Sequence, residues 1–190
     1  TMTATPEQPE EAPFALTQDD LDDAVLGQRL KASKPARLLE TTDLIETAVQ
    51  EVKSLIEGGL DLQVIGVVLN RVDTARAIHR RLVEAHPDQV LLLTGRIRPV
   101  DRDDLLADNR KYMEANRSRP THEPGPLVLV ATQTVEVGAN LDFDALITEA
   151  APLAALRQRF GRLNRLGRRT ESPAVILHNK KGKTEDPIYG

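Results

Sequence analysis

VIGVVLNRVDTARAIHRRLVEAH, residues 64–86, changes character midway. Residues 64–70 form a short apolar run of buried-strand type, ending on Asn70. TARAIHRRLVEAH (74–86) reads as a helix that stops before Pro87. The alternation then repeats. VLLLTG (90–95), LVLVAT (127–132), ALITEA (145–150) and AVILH (174–178) read as strands. VDRDDLLADNRKYMEAN (100–116) and PLAALRQRFGRLNRL (152–166) read as helices, the latter with Pro152 in its first turn. Five apolar strands separated by helices predict an α/β fold, a parallel sheet covered by helices on both faces. Ligands of such sheets bind at the carboxyl ends of the strands. The loops to read therefore start at Asn70, Thr94, Thr132 and Glu149.

Upstream, the Pro/Glu-rich residues 1–13 have the composition of a disordered tail. An acid-led helical pattern runs from Leu16 to about Lys31 with Thr17 as N-cap, and KPARLLET (34–41) could be a short strand. A helix follows, capped by Thr42 and stopped by Gly58-Gly59, with Leu44, Ile45, Ala48, Val52, Leu55 and Ile56 at three- and four-residue steps. This divides the chain into a tail (1–13), a helical linker extension (14–60), the sheet domain (61–180) and a basic tail (181–190).

Composition narrows the function. The 190 residues contain no Cys and no Trp, and aromatics make up 3%. Disulfides, Cys-based zinc sites, thiol nucleophiles and base-stacking aromatic platforms are thereby disfavoured. No apolar run reaches membrane-span length, and the acidic start TMTATPEQPEEAPF lacks a signal-peptide core. The expectation is a cytoplasmic protein without a membrane partner. Thr1 ahead of Met2 suggests a piece of a longer chain. The net charge of −4 hides a polarised chain: residues 1–25 carry −7, and residues 151–190 carry +6. Much of the positive charge lies in RQRFGRLNRLGRR (157–169), with six arginines in thirteen positions.

On a helix at about 100° per residue, Leu153, Leu156, Phe160 and Leu163 fall within about 80° of one another and form the expected buried face. Gln158, Arg162 and Arg165 fall roughly opposite, beside Gly161, and can fan around a phosphate. Arg157, Arg159, Arg168 and Arg169 lie off that face, where they could serve the sheet's acidic edge, DNA or solubility. The plain alternative is a solvated helix face.

The order Q-R-x-G-R-x-N-R resembles the sixth motif of superfamily 2 helicases, Q/H-R-x-G-R-x-G-R. VLVATQTVEVGANLDFD, with its T-Q-x-x-E-x-G-x-x-x-D, resembles the fifth. GVVLNRVDTARAIHRRL resembles the fourth, and LLLTGRIRPVDRDDLL the family's L-H-S/G-R stretch. Together they cover about residues 64–178 and resemble the second, C-terminal RecA-like lobe. Asn164, the T-Q-x-V-E-V-G phrase and the D-F-D ending resemble CRISPR-associated type I helicase-nucleases, with a lean to the subtype labelled U. The resemblance implies roles. Arg162 and Arg165 would be catalytic arginine fingers. Gln158, Gly138 and Asn140 or Asp142 would face nucleotide. Asn70, Arg71, Thr94, Gly95, Arg96, Thr132 and Gln133 would contact nucleic acid, Thr132 through its hydroxyl and backbone N–H. It also implies ATP and Mg²⁺, single-stranded DNA, a first helicase lobe, a nuclease domain and a guide-RNA surveillance complex as partners. Residues 14–60 would link the lobes. The family often has Asp where this chain has Asn140, so that contact lacks a charge.

The sequence lacks a P-loop: Gly182-Lys183-Thr184 has Leu177 where the leading Gly belongs. No D-E-x-[HD] follows an apolar strand, the four histidines are scattered, and no metal site is expected. The chain alone is therefore expected to be inactive. Two competing readings are the equivalent lobe of another superfamily 2 helicase, acting on RNA or in DNA repair, and a non-catalytic α/β binding module.

Overall fold

A computed structural model describes residues 16–95, 97–115, 125–136 and 140–180. The expected tails (1–13 and 181–190, with Gly182-Lys183-Thr184), Arg96 and Gly138 lie outside the described residues. Two short helices lead, α1 (Gln18–Asp22) and α2 (Leu26–Lys31). Thr17 caps α1 in a reciprocal capping box with Asp20. Then follow β1 (Ala36–Thr41), α3 (Leu44–Glu57), β2 (Val64–Val68), α4 (Val72–Ala85), β3 (Val90–Leu93), α5 (Pro99–Met113) and β4 (Leu127–Ala131). A 3₁₀ turn (Gln133–Val135), β5 (Ala145–Glu149), α6 (Leu153–Phe160) and β6 (Ala174–Asn179) complete the order.

All six strands are parallel, in the order β1-β6-β5-β2-β4-β3. The central strands are buried on both faces, which is why they read as unbroken apolar runs. Alternate residues serve opposite layers. Ile65 and Val67 pack toward Ala48, Val52, Ile78 and Leu82 of α3 and α4. Val64 and Val68 pack toward Met113, Phe143 and Leu163. The Phe143 ring lies so close to Gly66 that a Cβ there would sit 2.6 Å from it.

Three expectations change. First, the sheet has a sixth strand beside the five apolar ones: β1 pairs in register with β6, and α3 packs on the same sheet. Ladder hydrogen bonds bind residues 36–41 to the lobe, and the extension outside the sheet is 16–35. Second, α3 is capped by Asp43, whose side chain accepts the Glu46 N–H, rather than by Thr42. Third, the arginine helix stops at Phe160. Leu153, expected inside, is 66% exposed, and α6 buries Ala155 and Arg159 instead. The tertiary demand for Arg159 at the sheet edge sets the helix rotation and overrides the apolar stripe.

The 26–35 segment packs against the turn after α6. Ser33 N–H donates to Thr170 O (2.9 Å), and Ser172 N–H donates to Ser33 O (3.0 Å). Gly167, at φ +68°, leaves no space: a Cβ would lie 2.6 Å from Gln28 O and 2.7 Å from Arg29 Cα. Gly59 has the same φ of +68°, with nothing within 4 Å. Gly59→Ala is therefore expected to cost only the left-handed backbone penalty of about 1 kcal/mol. Gly167→Ala adds displacement of the Gln28–Arg29 backbone and should lower stability by about 2 kcal/mol or more, roughly 4–8 °C in Tm for a chain of this size. Equal Tm values for the two variants in thermal denaturation would remove that close packing from the account.

Candidate functional site

Arg159 is 0% exposed, the largest fully buried side chain among the described residues. Burying a guanidinium is tolerable only if its donors are satisfied. Here Nε donates to Glu136 Oε1 (2.9 Å), and Nη1 to Thr148 Oγ1 (2.9 Å) and Glu149 O (3.0 Å). Nη2 donates to Asn70 Oδ1 (3.0 Å). Asn70, 3% exposed at the end of β2, donates through Nδ2 to Ala150 O (2.9 Å), and its backbone N–H donates to Glu149 Oε2 (2.8 Å). Gln133 Nε2 donates to Asn70 O (2.8 Å). One guanidinium thus ties the loop after β4, the end of β5, the tip of β2 and α6 into one frame.

Beyond α6 the chain turns, with Gly161 as C-cap. Phe143 grips the turn from both sides: its N–H donates to Arg162 O (2.7 Å), and its carbonyl accepts the Asn164 N–H (2.7 Å). Leu163 inserts into the core. Asn164 has φ +43°, a left-handed conformation that Asn tolerates, and its side chain accepts the Arg169 N–H and donates to Arg169 O. This accounts physically for Asn where the motif otherwise has Gly. Asp142, 2% exposed, accepts the Arg165 N–H through Oδ1 (2.7 Å).

The turn presents two cations. Arg162 is half-buried and donates to the carbonyls of Val135 and Glu136, both at 3.1 Å. Burial, and secondarily the nearby Arg165 charge, push its pKa below the usual guanidinium value. Arg165 is exposed, and Nη1 donates to Asn140 Oδ1 (3.0 Å). Among the described residues, no carboxylate forms an ion pair with either. Two neighbouring guanidiniums, neither ion-paired among the described residues, give this turn donors of the kind that suit an anion.

The other expected residues divide by accessibility. Gln158 is half-buried on α6, and Asn140 is exposed beside Arg165. Asp142 holds the turn rather than facing solvent, so Asn140 is the member of that pair open to a ligand. Arg71 and Gly95 are exposed at carboxyl ends of strands, and Gln133 is half-buried. Asn70, Thr94 and Thr132 are 3%, 4% and 2% exposed. Asn70 is a strut of the frame, not an open contact. The Thr132 N–H, expected to be free, donates to Leu93 O (3.1 Å). Among the described residues there is no cluster of three His, Cys, Asp or Glu able to hold a metal, and no helix long and apolar enough to cross a membrane. Sequence reading grouped Arg159 with the arginines that could serve the sheet's acidic edge without singling it out, and it missed Glu136. The available signal was the pair of acids, Glu136 and Glu149, at two neighbouring loop starts.

Removing Arg159 would take the fully buried cationic partner from Glu136, whose side chain is 11% exposed. Arg159→Ala is expected to destabilise by about 3–5 kcal/mol. Arg165→Ala, at an exposed position, should stay within about 0.5 kcal/mol of the parent. Urea denaturation of both variants checks this, and similar midpoints would contradict the assignment of Arg159 as the frame.

The pattern of the family described as CRISPR-associated nuclease/helicase Cas3, C-terminal, matches residues 61–168. The CRISPR-associated endonuclease/helicase Cas3 of Escherichia coli (strain K12) is 35% identical over 99 residues, covering 52% of this chain. The chain spans 11% of that protein's length. The crystal structure of T. fusca Cas3-AMPPNP superposes with a TM-score of 0.62 at 22% identity, covering 83% of this chain and 19% of that one. A structure described as a CRISPR RNA-guided surveillance complex, pre-nicking, gives 0.59 at 22% identity, covering 83% of this chain and 20% of that one. With the six-stranded parallel sheet, the arginine turn at its carboxyl edge and the family pattern over more than half its length, the chain belongs to the Cas3 C-terminal helicase family and has a RecA-like fold.

Proposed function

We propose that this lobe is the second half of an ATP-driven motor that moves along and unwinds single-stranded DNA within a CRISPR interference helicase-nuclease. The observation carrying this reading is the division of labour within one motif. Arg159 is buried and fully bonded, while Arg162 and Arg165 stand without carboxylate partners on a turn held by Phe143, Asp142 and Asn164. A rigid turn with uncompensated guanidiniums suits stabilisation of charge that develops on a transferring phosphoryl group. The P-loop that would cradle the phosphates is absent from this sequence and is assigned to a first lobe. Mg²⁺, when bound there, would neutralise charge between the β- and γ-phosphates. Arg165, steadied by Asn140, would reach the γ-phosphate from this side, with Arg162 beside it and Gln158 near the nucleotide.

DNA would lie along the carboxyl edge against Arg71, Gly95 and Gln133, with Thr94 and Thr132 shaping that edge. Backbone contacts of this kind carry little base information, which suits a translocating motor. ATP-driven closure of the lobes would shift this edge along the strand. Recruitment by a guide-RNA surveillance complex is proposed from family membership and from the description of the pre-nicking relative.

The test is ATP hydrolysis stimulated by single-stranded DNA in the full-length protein, with and without Arg165→Ala. Turnover is expected to fall by about 10³ or more with ATP binding largely kept. Unchanged turnover would return the arginine turn to a solvated surface. The 190-residue chain alone should bind ATP weakly and not hydrolyse it.

A further inference from the structure

Lys34 lies 126 residues before Phe160, outside the 61–168 span of the family pattern. Its Nζ nevertheless donates to Phe160 O (3.1 Å). Phe160 is the last residue of α6, and its carbonyl also accepts the Leu163 N–H (3.2 Å), the bond that closes the turn carrying Arg162. Terminal helix carbonyls lack intrahelical partners, and a cation there is favoured by both hydrogen bonding and the helix dipole. Lys34 is half-buried, and burial lowers its pKa against the opposing pull of Asp142. Asp142 is the carboxylate that fixes the Arg165 backbone. The ammonium therefore caps the carbonyl at the start of the turn, and its charge is felt by the carboxylate that holds the turn's end.

The Lys34 backbone is held on both sides. Ser33 pairs with residues 170–172, and Ala174 N–H donates to Pro35 O (2.8 Å) where β1 begins beside β6. Gln28 and Arg29 close over Gly167. A lysine delivered by so constrained a segment acts as a fixed clamp, whereas most surface lysines are mobile.

We propose that Lys34 is a positioning residue for Arg162 and Arg165: it pins the α6 terminus from the segment preceding β1, and so sets where the two guanidiniums stand. Lys34 touches neither nucleotide nor DNA in this account. It works through Phe160 O. The kinetic consequence rests on the motor reading above, while the structural consequence does not.

The experiment has two arms. In the 190-residue chain, hydrogen exchange of the 162–165 amides is followed in Lys34→Met, which keeps the stem and removes the charge. Exchange is expected to quicken about tenfold at these amides, as for the loss of one charge-assisted hydrogen bond, with β2, β4 and β5 unchanged. In the full-length protein, Lys34→Met should lower kcat by about 10- to 100-fold, with the KM for ATP and single-stranded DNA affinity near the parent values. Lys34→Arg should recover most of that loss. On an Arg165→Ala background, Lys34→Met should add little, because its effect passes through that arginine. Unchanged exchange at 162–165, or faster exchange throughout the sheet, overturns the proposal. So do an additive loss with Arg165→Ala and a failure of Lys34→Arg to rescue. If Arg165→Ala alone leaves turnover intact, the motor reading fails, and the exchange arm decides the role of Lys34.

Discussion

A single buried guanidinium organises the functional edge of this lobe. Arg159 bonds to four residues from three loops and strand ends: Asn70, Glu136, Thr148 and Glu149. A carboxylate or amide at any of these loop ends would be costly to bury alone, and so would the arginine. Together they satisfy one another. The same network explains why α6 violates its own apolar stripe. Rotating the helix to bury Leu153 would withdraw Arg159 from the frame, and leaving one leucine exposed costs less than an unpaired buried charge.

From this frame the arginine turn inherits its rigidity. The side chain of Glu136 is locked by Arg159, and its backbone carbonyl, with that of Val135, receives Arg162. Phe143 contributes twice: its ring fills the space above Gly66, and its backbone brackets Leu163. A substitution in β2 would thus be felt at the arginines through one aromatic ring. Core packing and site geometry are here the same set of contacts.

The layered sheet was legible because its strands are short, apolar and separated by helical periods, and all the expected strands formed. The carboxyl edge was legible for the same reason, since strand ends locate it. The roles of individual arginines were not. A helical wheel assumes the helix continues, and RQRFGRLNRL ends its helix at Phe160. Beyond that point, the positions of Arg162 and Arg165 follow from hydrogen bonds to Phe143, Asp142 and Val135, partners 19, 23 and 27 residues away in sequence. Spacing carries no information about such partners. Asn70 and Thr132 show a second limit: polar residues at strand tips suggest contacts, yet both are buried, and Asn70 spends its amide on Arg159 and Ala150. Lys34 was invisible because its partner is a backbone carbonyl, which leaves no trace in residue identity.

Asn140 shows how a neutral residue can serve an electrostatic purpose. Its amide oxygen accepts from Arg165 Nη1 and so orients the guanidinium. An aspartate in its place would orient the group equally well, but it would also cancel the charge. At this exposed position the added ion pair would contribute at most about 1 kcal/mol to stability. An incoming phosphate would then have to compete with a carboxylate for the same donors. With Asn140 the arginine is held but not neutralised, while burial and, secondarily, the Arg165 charge lower the pKa of Arg162 beside it. The mutual repulsion of the two guanidiniums is tolerated because backbone carbonyls and an amide hold them in place, and an anion placed between them relieves it.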